Sequence, residues 1–194
     1  MPLRRFTVAL TLAVSACKPA VPPLVAAEQR ATSPGQVTVV EFVDFECPFC
    51  RRLHASLARV LAAHPGRARI VRKQVPLVAI HPHALAAARA SVCADAQGQG
   101  DRMADALIAA PPIELAPDAI AQRGSELGLD PAALAACMDS PVTTRRIETD
   151  TVSFDAIGGG GVPLLFIGDQ RIDGAEDEDV LAAAFERALG ALPR

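Results

Sequence analysis

The 194-residue chain predicts an α/β domain in the order strand, helix, strand, helical block, strand pair, helix. Three observations carry that expectation. The apolar run Val37-Thr38-Val39-Val40-Glu41-Phe42-Val43-Asp44-Phe45 is continuous enough for a buried strand. It passes directly into a segment that places Leu53, Leu57, Val60 and Leu61 on one helical face. From His83 to Ile157 the pattern is helical, and after it two short apolar runs flank the turn Gly168-Asp169-Gln170.

Each element has its own justification. The first strand is expected over about 37–45 and the first helix over about 48–63, which His64-Pro65-Gly66 ends because Pro and Gly both break a helix. The second strand is expected over about 68–77, with Ile70, Val71, Val75 and Leu77, and Pro76 closing it. Within the helical block, Asp130-Pro131 and Ser140-Pro141 pair an N-cap side chain with a first-turn proline, and Gly128 and Gly158 are helix stops. Leu164–Ile167 is a short buried strand and Arg171–Asp173 its hairpin partner. The last helix opens on Glu176, Asp177, Glu178 and Asp179, acids placed where the helix dipole favours them.

The N-terminal segment predicts export. Arg4 and Arg5 precede an apolar stretch from Phe6 to Ala16, too short to span a membrane and of the length of a signal peptide over residues 1–16. Val14-Ser15-Ala16-Cys17 resembles the bacterial lipoprotein box, in which the cysteine is lipidated; ordinary cleavage after Ala16 would leave Cys17 as a free thiol. Residues 17–35, with Pro19, Pro22, Pro23 and Pro34, read as a flexible tether, leaving a single folded domain over 36–192. A formal net charge of −3 gives no footprint for nucleic acid, and no second apolar stretch is long enough to cross a membrane.

The chemistry concentrates in Cys47-Pro48-Phe49-Cys50, where a buried strand hands two cysteines to the first turn of a helix. Unpaired N–H groups and the positive end of the dipole stabilise a thiolate there, and Pro48 costs nothing in a first turn. The motif reads as a redox dithiol. Of five cysteines, setting Cys17 and this pair aside leaves Cys93 and Cys137. They form a structural disulfide or remain two buried helical thiols acting as small hydrophobes; the bridge is the reading adopted, since export permits it. His81 and His83 add a competing expectation of another class. With Cys47 and Cys50 they complete a two-Cys, two-His set for zinc or copper, which would make the chain a metal-binding or metal-delivery module.

These motifs together resemble the DsbA-like thiol–disulfide oxidoreductases, a thioredoxin-like fold (βαβ…ββα) with an inserted helical subdomain, here about 83–157. The resemblance rests on Val40-Glu41-Phe42 through Cys50, Ala90-Ser91-Val92-Cys93-Ala94, Gly128-Leu129-Asp130 with Cys137, and Gly161-Val162-Pro163 before Phe166. It implies that Cys47 is the nucleophile and Cys50 the resolving thiol. It implies that Val162-Pro163 is a cis-proline loop packing on the dithiol and, with Pro48 and Phe49, meeting an extended substrate. Glu41 would be the buried acid that accepts the Cys50 proton, unless it is a solvated edge-strand glutamate. The expected function is exchange of the Cys47–Cys50 disulfide with thiols of secreted or periplasmic proteins, as an oxidase, with a reductase or isomerase as the alternative direction. A membrane redox partner would reset the dithiol; no cofactor is expected, and a monomer is. Phe49 stands where the strongest oxidants carry histidine, so Cys47 should be less acidic than theirs. Arg51 and Arg52 read as a solvated helix face, with their charge as a partial offset for the missing histidine the alternative; Glu46 beside Cys47 pushes the other way, and Gly158–Gly161 read as a loosened approach to Pro163.

Overall fold

The computed structural model describes residues 21–193; the signal peptide expected over 1–16 and the lipidation expected at Cys17 fall outside the described residues. Four strands, β1 (Val37–Val43), β2 (Ala68–Gln74), β3 (Leu164–Ile167) and β4 (Gln170–Asp173), form one sheet in the order β2-β1-β3-β4. β1 and β2 are parallel, joined by the crossover helix α2 (Pro48–Ala62), while β3 runs antiparallel to both β1 and β4. β1 is central and every residue in it is buried, which is why it reads as an unbroken apolar run rather than an alternating one.

Alternation along β1 assigns the two faces. Val37 and Val39 pack with Leu53, Leu57 and Val60 of α2 and with Leu181 and Phe185 of α8 (Glu178–Gly190). Val40 and Phe42 point the other way, onto Phe154 of α7 (Pro141–Ala156) and Val25 of α1 (Pro23–Arg30). By the same two-residue period Glu41 belongs to the α2 face. The inserted block consists of α3 (Ala84–Asp95), α4 (Gly100–Ala109), α5 (Pro117–Glu126) and α6 (Pro131–Met138), leading into α7. Its core continues that of the dithiol end, uniting Val43, Phe45, Cys47 and Cys50 with Ala87, Ala90, Met103, Leu107, Ile120 and Leu134. Cys93 and Cys137 are disulfide-bonded, tying α3 to α6.

The expected caps are present: Asp130 accepts from the N–H groups of Ala132 and Ala133, and Ser140 from that of Val142. Two expectations need correction. The tether expected over 17–35 contains α1, because Val25 is fully buried against Val40 and Phe42 and Glu28 pairs with Arg69 and Lys73 across the sheet. The glycine run is not a loosened approach. Gly158 takes the left-handed conformation (φ +68°), and the N–H groups of Gly158 and Gly159 close α7 on the carbonyls of Asp155 and Phe154. A Cβ on Gly159 would lie 2.4 Å from the Phe154 ring, and Arg171 bonds the carbonyls of Ile157 and Gly158. The run is a pinned turn that delivers Val162 and Pro163 to the dithiol.

Candidate active site

β1 ends at Val43, and the next residues form a turn that carries Cys47 to the N-cap of α2. Asp44 builds that turn. Its carboxylate, 2% exposed with its neighbours, accepts from the N–H of Glu46 (2.8 Å), the N–H of Leu77 (2.8 Å) and His81 Nδ1 (2.8 Å). Glu46, also buried, accepts from the N–H of His83 at 2.8 Å. Two acids of the dithiol turn therefore hold the segment that follows β2. His81 is held by Asp44, and His83 caps the start of α3 with its backbone N–H on Glu46; among the described residues no cluster of three or more His, Cys, Asp or Glu could hold a metal ion.

The two thiols are differentiated by what surrounds them. Both are buried and free. Cys47 is lowered to about 6, first by the hydrogen bond from the Cys50 thiol and then by the N–H groups of Cys50 and Phe49, against the opposing effects of burial and of the Asp44 charge. That lies above the ~3.5 of the most oxidising dithiol known in such proteins and below the ~7 of thioredoxin. Cys50 is pushed far up, first by that same hydrogen bond, then by burial and by the charges of Cys47 and Glu41. The N–H of Asp44 approaches Cys50 Sγ at 3.5 Å and works weakly the other way. The result is one thiolate near neutrality and one shielded thiol, the asymmetry that thiol–disulfide exchange uses.

Cys47 alkylation should accordingly follow a titration with a midpoint near pH 6, read by mass after brief exposure to iodoacetamide. The linked stability of the reduced protein has a definite sign. Cys47 is depressed from an ordinary 9 to about 6, so its contribution is complete above pH 9 and is lost as pH falls through about 6. A midpoint at the ordinary thiol value would contradict the donor arrangement at Cys47.

Val162 and Pro163 are joined by a cis peptide bond, and Cys47 Sγ lies 3.8 Å from the Val162 carbonyl oxygen. Phe49 is 56% exposed beside them, with the Arg52 guanidinium 5.7 Å from its ring centre. Val78 and Ile80, in the loop that Asp44 holds, are also exposed. Glu41 is fully buried in the middle of the sheet, not a solvated edge residue. It faces Arg72, its register partner on β2, with Oε2 at 3.3 Å from Nε, and neither carboxylate oxygen has a hydrogen-bond partner. Arg51 is not on a solvated face either: its Nη1 donates to the carbonyls of Ile108 (2.6 Å) and Ala110 at the end of α4. Arg52 does lie on the exposed side, bonding the Ala175 carbonyl.

The family model for the DSBA-like thioredoxin domain matches residues 38–186. The chain belongs to that family. DsbA-like proteins are thiol:disulfide oxidoreductases, and the paired, unequal thiols are the chemistry the fold carries. Among solved structures, a thioredoxin-like oxidoreductase from Silicibacter pomeroyi DSS-3 is 29% identical, with a TM-score of 0.68 over 81% of this chain and 88% of that one. A periplasmic thioredoxin-like protein from Salmonella enterica serovar Typhimurium shares the fold at 23% identity, TM-score 0.71, over 89% and 99% of the two chains. Among curated proteins, one named Na(+)/H(+) antiporter NhaA from Herminiimonas arsenicoxydans is 32% identical over 157 residues. This DsbA-like chain spans about a quarter of the length of the curated relatives it matches (25% of that protein, against 81% of this chain). Among the described residues no helix is long and apolar enough to cross a membrane.

Of the site residues expected from the sequence, the fold sets Cys47 beside Val162-Pro163, and the Glu41 charge acts on the buried Cys50. Asp44 carries no expectation from the sequence, and Glu46 and Arg51 are legible there only as charges near Cys47, without the partners that hold them. Asp44 and Glu46 flank the motif and look solvated in sequence, because their partners come from residues 77–83.

Proposed function

We propose that this DsbA-like domain works outside the cytoplasm as a thiol oxidase, passing the Cys47–Cys50 disulfide to cysteine pairs of other exported proteins. The observation that carries this reading is the set of donors converging on the Cys47 sulfur. By stabilising the thiolate, they favour the reduced form and make the disulfide a better oxidant.

In this reading a substrate thiolate attacks Cys47, the Cys47–Cys50 bond breaks, and Cys50 leaves with the electron pair and takes up a proton. A second substrate thiolate then attacks the substrate sulfur of the mixed disulfide, forming the new disulfide and releasing Cys47 as the thiolate. Pro163 and Val162 border the Cys47 sulfur and would present backbone to the substrate, with Pro48 and exposed Phe49 on the other side. Glu41 would give and later receive the Cys50 proton; its unbonded oxygens suit a proton exchanger, and Arg72 keeps the buried carboxylate paired. A Glu41→Gln variant should slow the Cys50-dependent step by on the order of 10²-fold, while Cys47 alkylation proceeds as before. Equal single-turnover rates for the two proteins would remove Glu41 from the mechanism.

The reading extends to location: cleavage at Ala16 and lipidation of Cys17 would place the domain on the outer side of a membrane, where a membrane redox partner could re-oxidise it. The intact mass of the processed protein tests this, since a diacylglyceryl group adds several hundred daltons that an unmodified Cys17 lacks.

The deciding experiment is the reduction potential of Cys47–Cys50, by equilibration in glutathione buffers with alkylation and mass readout. A value between about −120 and −180 mV supports the oxidase. A value near roughly −270 mV would reverse the direction, to a reductase that depends on an electron supply.

A further inference from the structure

We propose that Arg51 is a positioning residue for Cys47, supplying from the second turn of α2 the positive charge that a Pro-Phe dipeptide cannot supply. The inference deepens the dithiol reading above and rests on it.

The geometry has three parts. Cys47 is the N-cap of α2 and Arg51 lies four residues on, its N–H donating to the Cys47 carbonyl at 3.1 Å, so both residues stand at the N-terminal end of the helix. The guanidinium is fixed by Nη1, which caps the end of α4 through the carbonyls of Ile108 and Ala110. Its Nε and Nη2 are buried without a hydrogen-bond partner. A cation with idle buried donors favours a nearby anion, and the thiolate is the one that appears and disappears during exchange.

The titratable groups around this site are Asp44 and Glu46 on the turn and His81 on the loop after β2. Asp44 raises Cys47, whereas the Arg51 guanidinium feels the charges of Glu46, Asp44 and Cys47. Asp44 is already satisfied by two N–H groups and His81, and Glu46 accepts from His83. Arg51 thus offsets acids whose own bonds serve the turn. His54, one turn further along α2, pairs with Asp105 of α4 at 3.0 Å, so the contact between α2 and α4 does not depend on Arg51 alone.

The test is the pH titration of Cys47 in the reduced full chain, followed by alkylation rate and by thiolate absorbance, which the absence of Trp and Tyr leaves unobscured. Arg51→Gln should raise the midpoint by about one pH unit and slow alkylation at pH 6 roughly fivefold. Arg51→Lys, which keeps the charge, should recover most of the shift, and Arg52→Gln should leave the midpoint in place. A folded Arg51→Gln protein that titrates as the parent does would overturn the proposal. Should Arg51→Gln fail to fold, the Arg51 Nε–H resonance of the unaltered protein decides the matter. It should move with the Cys47 midpoint when the dithiol is reduced and stay still when it is oxidised; a resonance indifferent to the thiolate overturns the proposal. These readouts need no functional couple, so they fail or succeed separately from the oxidase reading.

Discussion

Replacement of Cys47 by serine is expected to reduce disulfide exchange with any substrate to the uncatalysed background. The attacking and accepting species is a thiolate, and a serine hydroxyl is not ionised at any pH the protein would meet. The donors that lower Cys47 to about 6 have no counterpart use for an alcohol. Cys50→Ser should behave differently. The Cys47 thiolate would still attack a substrate disulfide, breaking that S–S bond and joining one of its sulfurs, but the Cys50 thiol that would displace the substrate is gone, and covalent adducts should accumulate. Non-reducing gels of cells expressing the two variants distinguish the cases: adducts with Cys50→Ser and none with Cys47→Ser. Adducts in neither would argue against a protein substrate; adducts with Cys47→Ser would mean that Cys50, despite its burial, is the attacking sulfur.

The second large effect concerns stability. Removing the bridge with Cys93→Ala and Cys137→Ala together is expected to cost about 4 kcal/mol, because the link closes a loop of sequence separation 44 in the unfolded chain. Alanine suits the site: Cys93 is fully buried amid Ala87, Ala90 and Ala94, so little volume is lost and no polar group is stranded. Thr143 of α7, whose hydroxyl donates to the Cys137 carbonyl at 2.7 Å, would keep part of the junction. Urea unfolding of the double variant and the parent measures the difference. A loss below about 1 kcal/mol would mean that the unfolded chain is not restrained by the bridge as the loop-entropy model holds. In the fraction that stays folded, Cys47 should still titrate near pH 6.

Signals that act within a few residues were read correctly from the sequence. Asp130 and Ser140 cap because their side chains reach N–H groups two or three positions on, and Gly158 stops α7 because it alone tolerates the left-handed turn there. The dithiol was legible for the same reason, since strand, N-cap and cysteines are contiguous. What escaped depends on partners far along the chain. α1 is rich in proline at its start and short, and only docking of Val25 onto Phe42 and Val40 makes it a helix worth forming. Asp44 meets its partners at Leu77 and His81, and Arg51 meets its carbonyls at Ile108 and Ala110. An ionisable residue whose partner lies thirty or more positions away is indistinguishable in sequence from a solvated one. The ends of β1 and β2 fell short of expectation on the same account: Asp44 turns the chain after Val43, and its carboxylate takes the N–H of Leu77 out of the ladder.

The direction in which α1 lies sets how the domain would sit on a membrane. Thr32 bonds the Thr38 hydroxyl near the start of β1, whereas Val25 packs with Phe42 and Val75 near its end. The helix therefore runs back along β1, and the polypeptide enters the fold on the side where Cys47 is displayed. In the lipidated form proposed above, five peptide steps would separate the lipid on Cys17 from Pro22, a reach of about 17 Å at full extension. So short a leash would orient the domain with its sulfur chemistry turned toward the bilayer. The membrane redox partner of the proposal would then meet the dithiol by two-dimensional diffusion, while soluble clients would have to be small, or unfolded enough to thread into the gap.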